Sequence, residues 1–145
     1  DSGRTWSPLA LLPYAGASAF ARGEELVNLP YRWFPADPSY AALRGHRLTF
    51  RDGGRTYTVE TDALSVEGLP RPVEPMGHGE AMLVMDANIL RLGDGRLLAP
   101  MYGTFRGDAA RHSKARGQDG AAGYSLVLTE SADGRAWRYV TTIAD

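Results

Sequence analysis

Cysteine is absent from the 145-residue chain, which excludes disulfide staples and thiolate chemistry but leaves the cellular compartment open. A net charge of any size is also missing, since 16 lysines and arginines against 17 aspartates and glutamates leave -1. With no global field of one sign, neither nucleic acid nor an anionic membrane surface is an expected partner. No stretch approaches the roughly 18 consecutive apolar residues of a membrane span. The opening residues lack the charged and then apolar pattern of a secretory leader, so no signal peptide is expected in this segment.

Several chemistries are missing as motifs. The three histidines, His46, His78 and His112, have no zinc-like spacing to one another. Gly16-Ala17-Ser18-Ala19-Phe20 lacks the last glycine of a nucleophile elbow. No Gly-x-x-x-x-Gly-Lys phosphate loop occurs. No cofactor and no metal are implied.

What the chain has instead is turn chemistry. Seventeen glycines and nine prolines argue for many short strands and against a helical bundle. Three runs share one pattern: Asp1-Ser2-Gly3-Arg4-Thr5-Trp6, Asp52-Gly53-Gly54-Arg55-Thr56-Tyr57 and Ser131-Ala132-Asp133-Gly134-Arg135-Ala136-Trp137. Each has an aspartate, a glycine soon after it, and then an aromatic. The third is one residue shorter and carries Ala136 in place of the threonine. An aspartate opening a tight turn accepts hydrogen bonds from backbone N–H groups just beyond it. Glycine supplies the positive φ, and the aromatic starts the next strand and buries beside the turn. Such a unit staples two antiparallel strands, so Asp1, Gly3, Trp6, Asp52, Gly54, Tyr57, Ser131, Asp133, Gly134 and Trp137 are expected to be structural.

This pattern resembles the Asp-box, or BNR repeat, of the sialidase (neuraminidase) superfamily, Ser-x-Asp-x-Gly-x-Thr-Trp. The resemblance implies an all-β fold of β-propeller blades, each a four-stranded antiparallel meander with the Asp-box joining its third and fourth strands. The chain then reads as about two blades of a six-bladed propeller. Residues 1–12 end one blade, 13–66 form a second and 67–145 a third. Expected strands are 5–12, 17–21, 26–34, 46–51 and 57–66, then 88–92, 96–105, 124–129 and 136–143. Segment 70–87 carries too many glycines and prolines for a strand and is expected to be loop. Two blades leave sheet edges open, so the remaining blades of a longer protein are the expected partner.

The resemblance also implies a glycoside hydrolase acting on terminal sugars of glycans, with a tyrosine nucleophile as one of the retaining exceptions. A glutamate partner, an aspartate acid/base and three arginines clamping a substrate carboxylate would complete it. Asp-boxes also occur in non-catalytic propellers, so a sugar-binding or protein-interaction scaffold stays open as the second reading. The family's Phe/Tyr-Arg-Ile-Pro signature is missing, and Tyr31-Arg32-Trp33 does not replace it.

In a four-stranded meander the Asp-boxes lie on one face and the longer 2–3 and between-blade loops on the other, where a ligand would enter. Candidate catalytic residues on that face are Glu80 and Asp86, against the plainer roles of a solvated loop residue and a cap at the start of a strand. Candidate substrate-binding residues are Arg32, His78, Tyr102 and Arg106. The plainer reading of Tyr102 is packing, and of Arg32 a surface ion pair. The loop holding Arg106, Arg111, His112, Lys114 and Arg116 against Asp108 suits an anionic sugar or simply a solvated loop. It has no interleaved aromatics, which argues against nucleic acid.

Overall fold

Turn residues break the chain into short strands, as their abundance demands. The computed structural model describes residues 16–76, 80–86, 88–107 and 124–144. The strands are β1 (Gly16–Arg22), β2 (Glu25–Pro30), β3 (Arg32–Pro35), β4 (Leu43–Arg51), β5 (Thr56–Glu67) and β6 (Val73–Glu74). They continue with β7 (Leu83–Val84), β8 (Leu90–Arg91), β9 (Leu97–Phe105), β10 (Ser125–Ser131) and β11 (Ala136–Ala144). Among the described residues the fold is all-β, with one 3-10 turn at Asp52–Gly54 and no helix able to cross a membrane.

Two runs of antiparallel pairing organise these strands. In the first, β1 pairs with β2, β2 with β4, and β4 with β5. In the second, β8 pairs with β9, β9 with β10, and β10 with β11. Each is a four-stranded meander. The edges at β5 and β11 do not stay open, whereas among the described residues β1 pairs with β2 alone. β3 joins β4 to β7, β7 joins β9, and β11 runs parallel to β5. The result is a closed, mixed ring of seven strands in the order β4-β3-β7-β9-β10-β11-β5, with β5 returning to β4. The hairpin partner β2 and the outer strand β1 extend from β4 beyond the ring.

The expected strand 26–34 is divided in two at Tyr31. Pairing with β4 runs Asn28↔Leu48 before the break and Phe34↔Arg44 after it, so the register slips by two. Pro30 has no N–H to give a ladder, and the Tyr31 carbonyl turns to accept from Met85 N at 2.9 Å. Segment 70–87, expected to be loop, contains β6 and β7. They are only two residues each, below what alternation reveals. They form because they add to the free edge of β9, opposite Phe105 and Thr104 and then Gly103 and Tyr102.

The core follows from period-two alternation. On β9, Leu97, Ala99, Met101, Gly103 and Phe105 are buried while Leu98, Pro100 and Tyr102 are half-buried. These meet Val127 of β10, Trp137 of β11, Leu64 and Val66 of β5, Leu43 of β4, Trp33 of β3 and Leu83 of β7. Gly103 is required where β7 crosses close to β9. A Cβ there would stand 2.8 Å from the Met82 carbonyl and 2.5 Å from Leu83 Cδ2.

Among the described residues two charged side chains are buried, Arg47 and Glu130, and Arg47 is the more enclosed. Arg47 on β4 is 1% exposed, and its Nε and Nη1 have no hydrogen-bond partner. Its neighbour across the ladder, Glu60, lies 3.8 Å away and is held by two hydrogen bonds from Arg135, at 2.7 and 3.0 Å. Burial, then the Arg135 and Arg22 charges, lower the Arg47 pKa, while Glu60 and Glu25 oppose this. Removing Glu60 strands a buried charge, whereas removing the charge itself does not. Glu60→Ala is therefore expected to cost about 2–4 kcal/mol, tempered because Glu60 is partly in water. Arg47→Met is expected to stay within about 1 kcal/mol of the parent or to exceed it. Urea unfolding of both variants checks the asymmetry; equal losses would contradict it.

Candidate functional site

The two ends of the ring have different chemistry. One end collects the tight turns, because the turn before β5 and the turn before β11 both precede strands that run parallel. The Ser131–Trp137 turn there has the hydrogen bonding that its sequence predicts. Ser131 Oγ accepts from Gly134 N at 2.9 Å and donates to Asp133 Oδ1 at 3.1 Å. Asp133 Oδ1 accepts from Arg135 N at 2.8 Å and Ala136 N at 3.1 Å. Gly134 has φ 73, and a Cβ on it would lie 2.2 Å from the Phe20 ring. Trp137 is 1% exposed.

The Asp52 turn is built differently. Asp52, Gly53 and Gly54 all have positive φ, and the Asp52 carboxylate accepts from Thr56 Oγ1 at 3.0 Å. Tyr57, expected to bury, is 42% exposed and meets Phe50 at 5.8 Å between ring centroids. This copy has Phe50 where the third has Ser131, so no hydroxyl gathers the amides of the turn. The copy holding Asp1, Gly3 and Trp6 lies outside the described residues.

The opposite end gathers the irregular segments. The loop 36–42 closes on itself through Ala36 N donating to Ala42 O at 2.9 Å. Val73 N donates to Tyr40 O at 3.1 Å, and Arg106 N to Pro72 O at 2.9 Å. Loop 36–42, the connection after β5 and the end of β9 are thus tied together. Between Phe34, Pro35, Ala36, Asp37, Pro38 and Tyr40 on one side and Glu80 and Ala81 on the other is a cleft of about 590 Å³, open to solvent. Its size is in the usual range for small-molecule sites, about 300–1,000 Å³.

Only part of the sequence-predicted set reaches this cleft. Glu80 lines it, and its carboxylate is 3.7 Å from Arg32 Nη1 in an exposed pair. Asp86 is exposed and does not line the cleft; its charge acts on Tyr102. Tyr102 is half-buried, shares a 3.1 Å hydrogen bond with the Tyr31 hydroxyl, and meets Tyr124 edge-on at 6.0 Å. These three tyrosines pack on Met76, Met82 and Val84. Burial, then the Tyr31 hydrogen bond and nearby negative charge, push the Tyr102 pKa up. Arg106 pairs loosely with Glu74, 3.7 Å away. His78 and residues 108–123, including the basic loop, lie outside the described residues. Among the described residues no group of three or more His, Asp or Glu side chains is arranged for a metal.

Sequence reasoning missed Phe34, Asp37 and Tyr40. A readable signal was there, in aromatics flanking the turn-forming Pro35-Ala36-Asp37-Pro38-Ser39 run. Asp37 organises that loop by accepting from Ser39 N at 2.7 Å, and the Ser39 contacts hold its carboxyl below the usual range. No family model, curated protein or solved structure matches this chain.

The Asp133 turn carries a pH expectation. Burial raises the Asp133 pKa, but the Arg135 and Ala136 amides and the Ser131 hydroxyl outweigh it and leave it lowered. A depressed folded-state pKa stabilises the fold above the ordinary carboxylate range and loses that contribution as pH falls through it. Asp133→Ala is expected to destabilise by on the order of 1 kcal/mol above about pH 5, with the gap narrowing in acid. Chemical unfolding of both proteins across pH tests this, and a gap that widens in acid would refute it.

Proposed function

We propose that the chain is part of a sialidase-like, carbohydrate-active protein, its two Asp-box meanders being blade-like units that here close edge to edge and whose loop end receives a terminal sugar of a glycan. The observation that carries this reading is the Ser131–Asp133–Trp137 turn. It stands between the third and fourth strands of a four-stranded antiparallel meander, where the resemblance puts an Asp-box. The first meander has its own aspartate turn at the equivalent junction, between β4 and β5.

Within the parent protein the expected chemistry is hydrolysis of a glycosidic bond, as an exo-sialidase or a related exo-glycosidase. The second reading, a propeller that binds sugar without cleaving it, is favoured by Tyr102. A nucleophilic tyrosine needs an easily ionised hydroxyl, whereas Tyr102 is hydrogen-bonded to Tyr31 and its ionisation is disfavoured. Glu80 is engaged with Arg32, and the other carboxylate at the cleft, Asp37, is engaged with Ser39 N, so neither is free to act in a catalytic pair. By itself this chain therefore binds sugar and leaves the bond intact.

Two assays on the purified chain test the proposal: glycan-array binding, and release of fluorophore from a sialoside and from neutral glycosides. Binding without turnover is the expected outcome. Turnover abolished by Glu80→Gln or Tyr102→Phe would make the chain itself catalytic and refute the binding-only account. No binding by the folded chain would refute the carbohydrate reading.

A further inference from the structure

The cleft beside loop 36–42 has a chemical character that narrows what it accepts. Two aromatic side chains line it and stay partly exposed: Phe34 is 41% exposed and Tyr40 36%. Both come from one short stretch, and neither belongs to a described hydrophobic cluster. Tyr40 is held at φ 60, a backbone state that non-glycine residues avoid, so an aromatic is retained where glycine would sit more easily. Among the described residues the charged lining consists of two carboxylates, Asp37 and Glu80, with the Arg44 charge acting on Asp37 from outside the lining. The nearest guanidinium to Glu80, Arg32, is already paired with it.

We infer that this cleft binds a neutral pyranose sugar, with its apolar C–H face on Phe34 and Tyr40 and its hydroxyls donating to Glu80 and Asp37, and that it rejects anionic sugars. The inference rests on the carbohydrate reading above and departs from its sialoside form. Carboxylates accept hydrogen bonds and cannot donate them when ionised, so sugar hydroxyls complement them. A sugar carboxylate would instead meet two like charges in the described lining, where Arg32 is already paired with Glu80. Aromatic faces supply the remaining contact at low conformational cost, since these rings have few torsions to freeze.

Calorimetric titration of the full chain with lactose, diacetylchitobiose and sialyllactose tests this, alongside Tyr40→Gly, Phe34→Ala and Glu80→Gln. Tyr40→Gly suits the left-handed backbone, so it removes the ring without endangering the fold. At least one neutral disaccharide should bind, with sialyllactose roughly tenfold weaker or undetectable. Tyr40→Gly and Phe34→Ala should each weaken the neutral sugar by roughly tenfold or more. Glu80→Gln releases Arg32 and should narrow the discrimination against sialyllactose. Preference for sialyllactose would overturn the neutral-sugar inference and leave the carbohydrate reading standing. Neutral binding untouched by Tyr40→Gly and Phe34→Ala would move the sugar elsewhere, with the same consequence. No binding of any sugar by folded protein would overturn both.

Discussion

A β-sheet edge is a row of unpaired backbone donors and acceptors, and the architecture of this chain depends on how those edges are covered. The two meanders alone would leave four, of which the pairing of β11 with β5 covers two, while β1 pairs with β2 alone among the described residues. Closure comes from short seams: two residue pairs between β3 and β7, two between β7 and β9, and three where β11 runs parallel to β5. These seams sit on the most buried side chains in the molecule. Met82, Leu83, Val84 and Met85 are at most 1% exposed, and Trp33 and Trp137 likewise. The seams hold because the hydrophobic core beneath them drives the two meanders together, and the backbone then pairs where it is forced close.

Charge is handled in opposite ways at the two ends of the ring. At the turn end, carboxylates are matched with guanidinium groups on neighbouring strands. Glu60 takes Arg135 and faces Arg47, Glu25 takes Arg22 and Arg51, and Glu130 takes Arg96 and Arg138. At the loop end, the Glu80 and Arg32 side chains are about half exposed, and Phe34 and Tyr40 are partly exposed. The strands that fix the loops carry the stability, and the loops carry the surface that is not self-satisfied.

Much of the strand pattern was legible because alternation and turn chemistry are local. Asp94-Gly95 marks its hairpin, and the Ser131–Trp137 turn forms the hydrogen bonds its residues imply. The closure was not legible. Residues 83–84 and 73–74 are too short to show a period and become strands only because the β9 edge is there to receive them. The parallel seam joins residues 65–67 to 136–138, a separation that no local pattern encodes. At the cleft, Glu80 is a lining residue that charge type and position had singled out as a candidate. Phe34, Asp37 and Tyr40 were passed over because a proline-rich loop announces irregular backbone before it announces a surface. Arg47 was missed because a lone arginine on a strand ordinarily points to water, and its enclosure is a property of the assembled ring.

The claim on which the account turns is that two meanders close edge to edge. Amide hydrogen exchange, resolved by residue, tests it most directly at the seams. If the ring is closed, amides of residues 65–67 and 136–138 and those of Leu83 and Val84 should exchange as slowly as the central β9–β10 ladder, since all open in one cooperative step. If those amides exchange freely while the two meanders remain protected, the chain is a pair of open blades, and the closed ring is wrong.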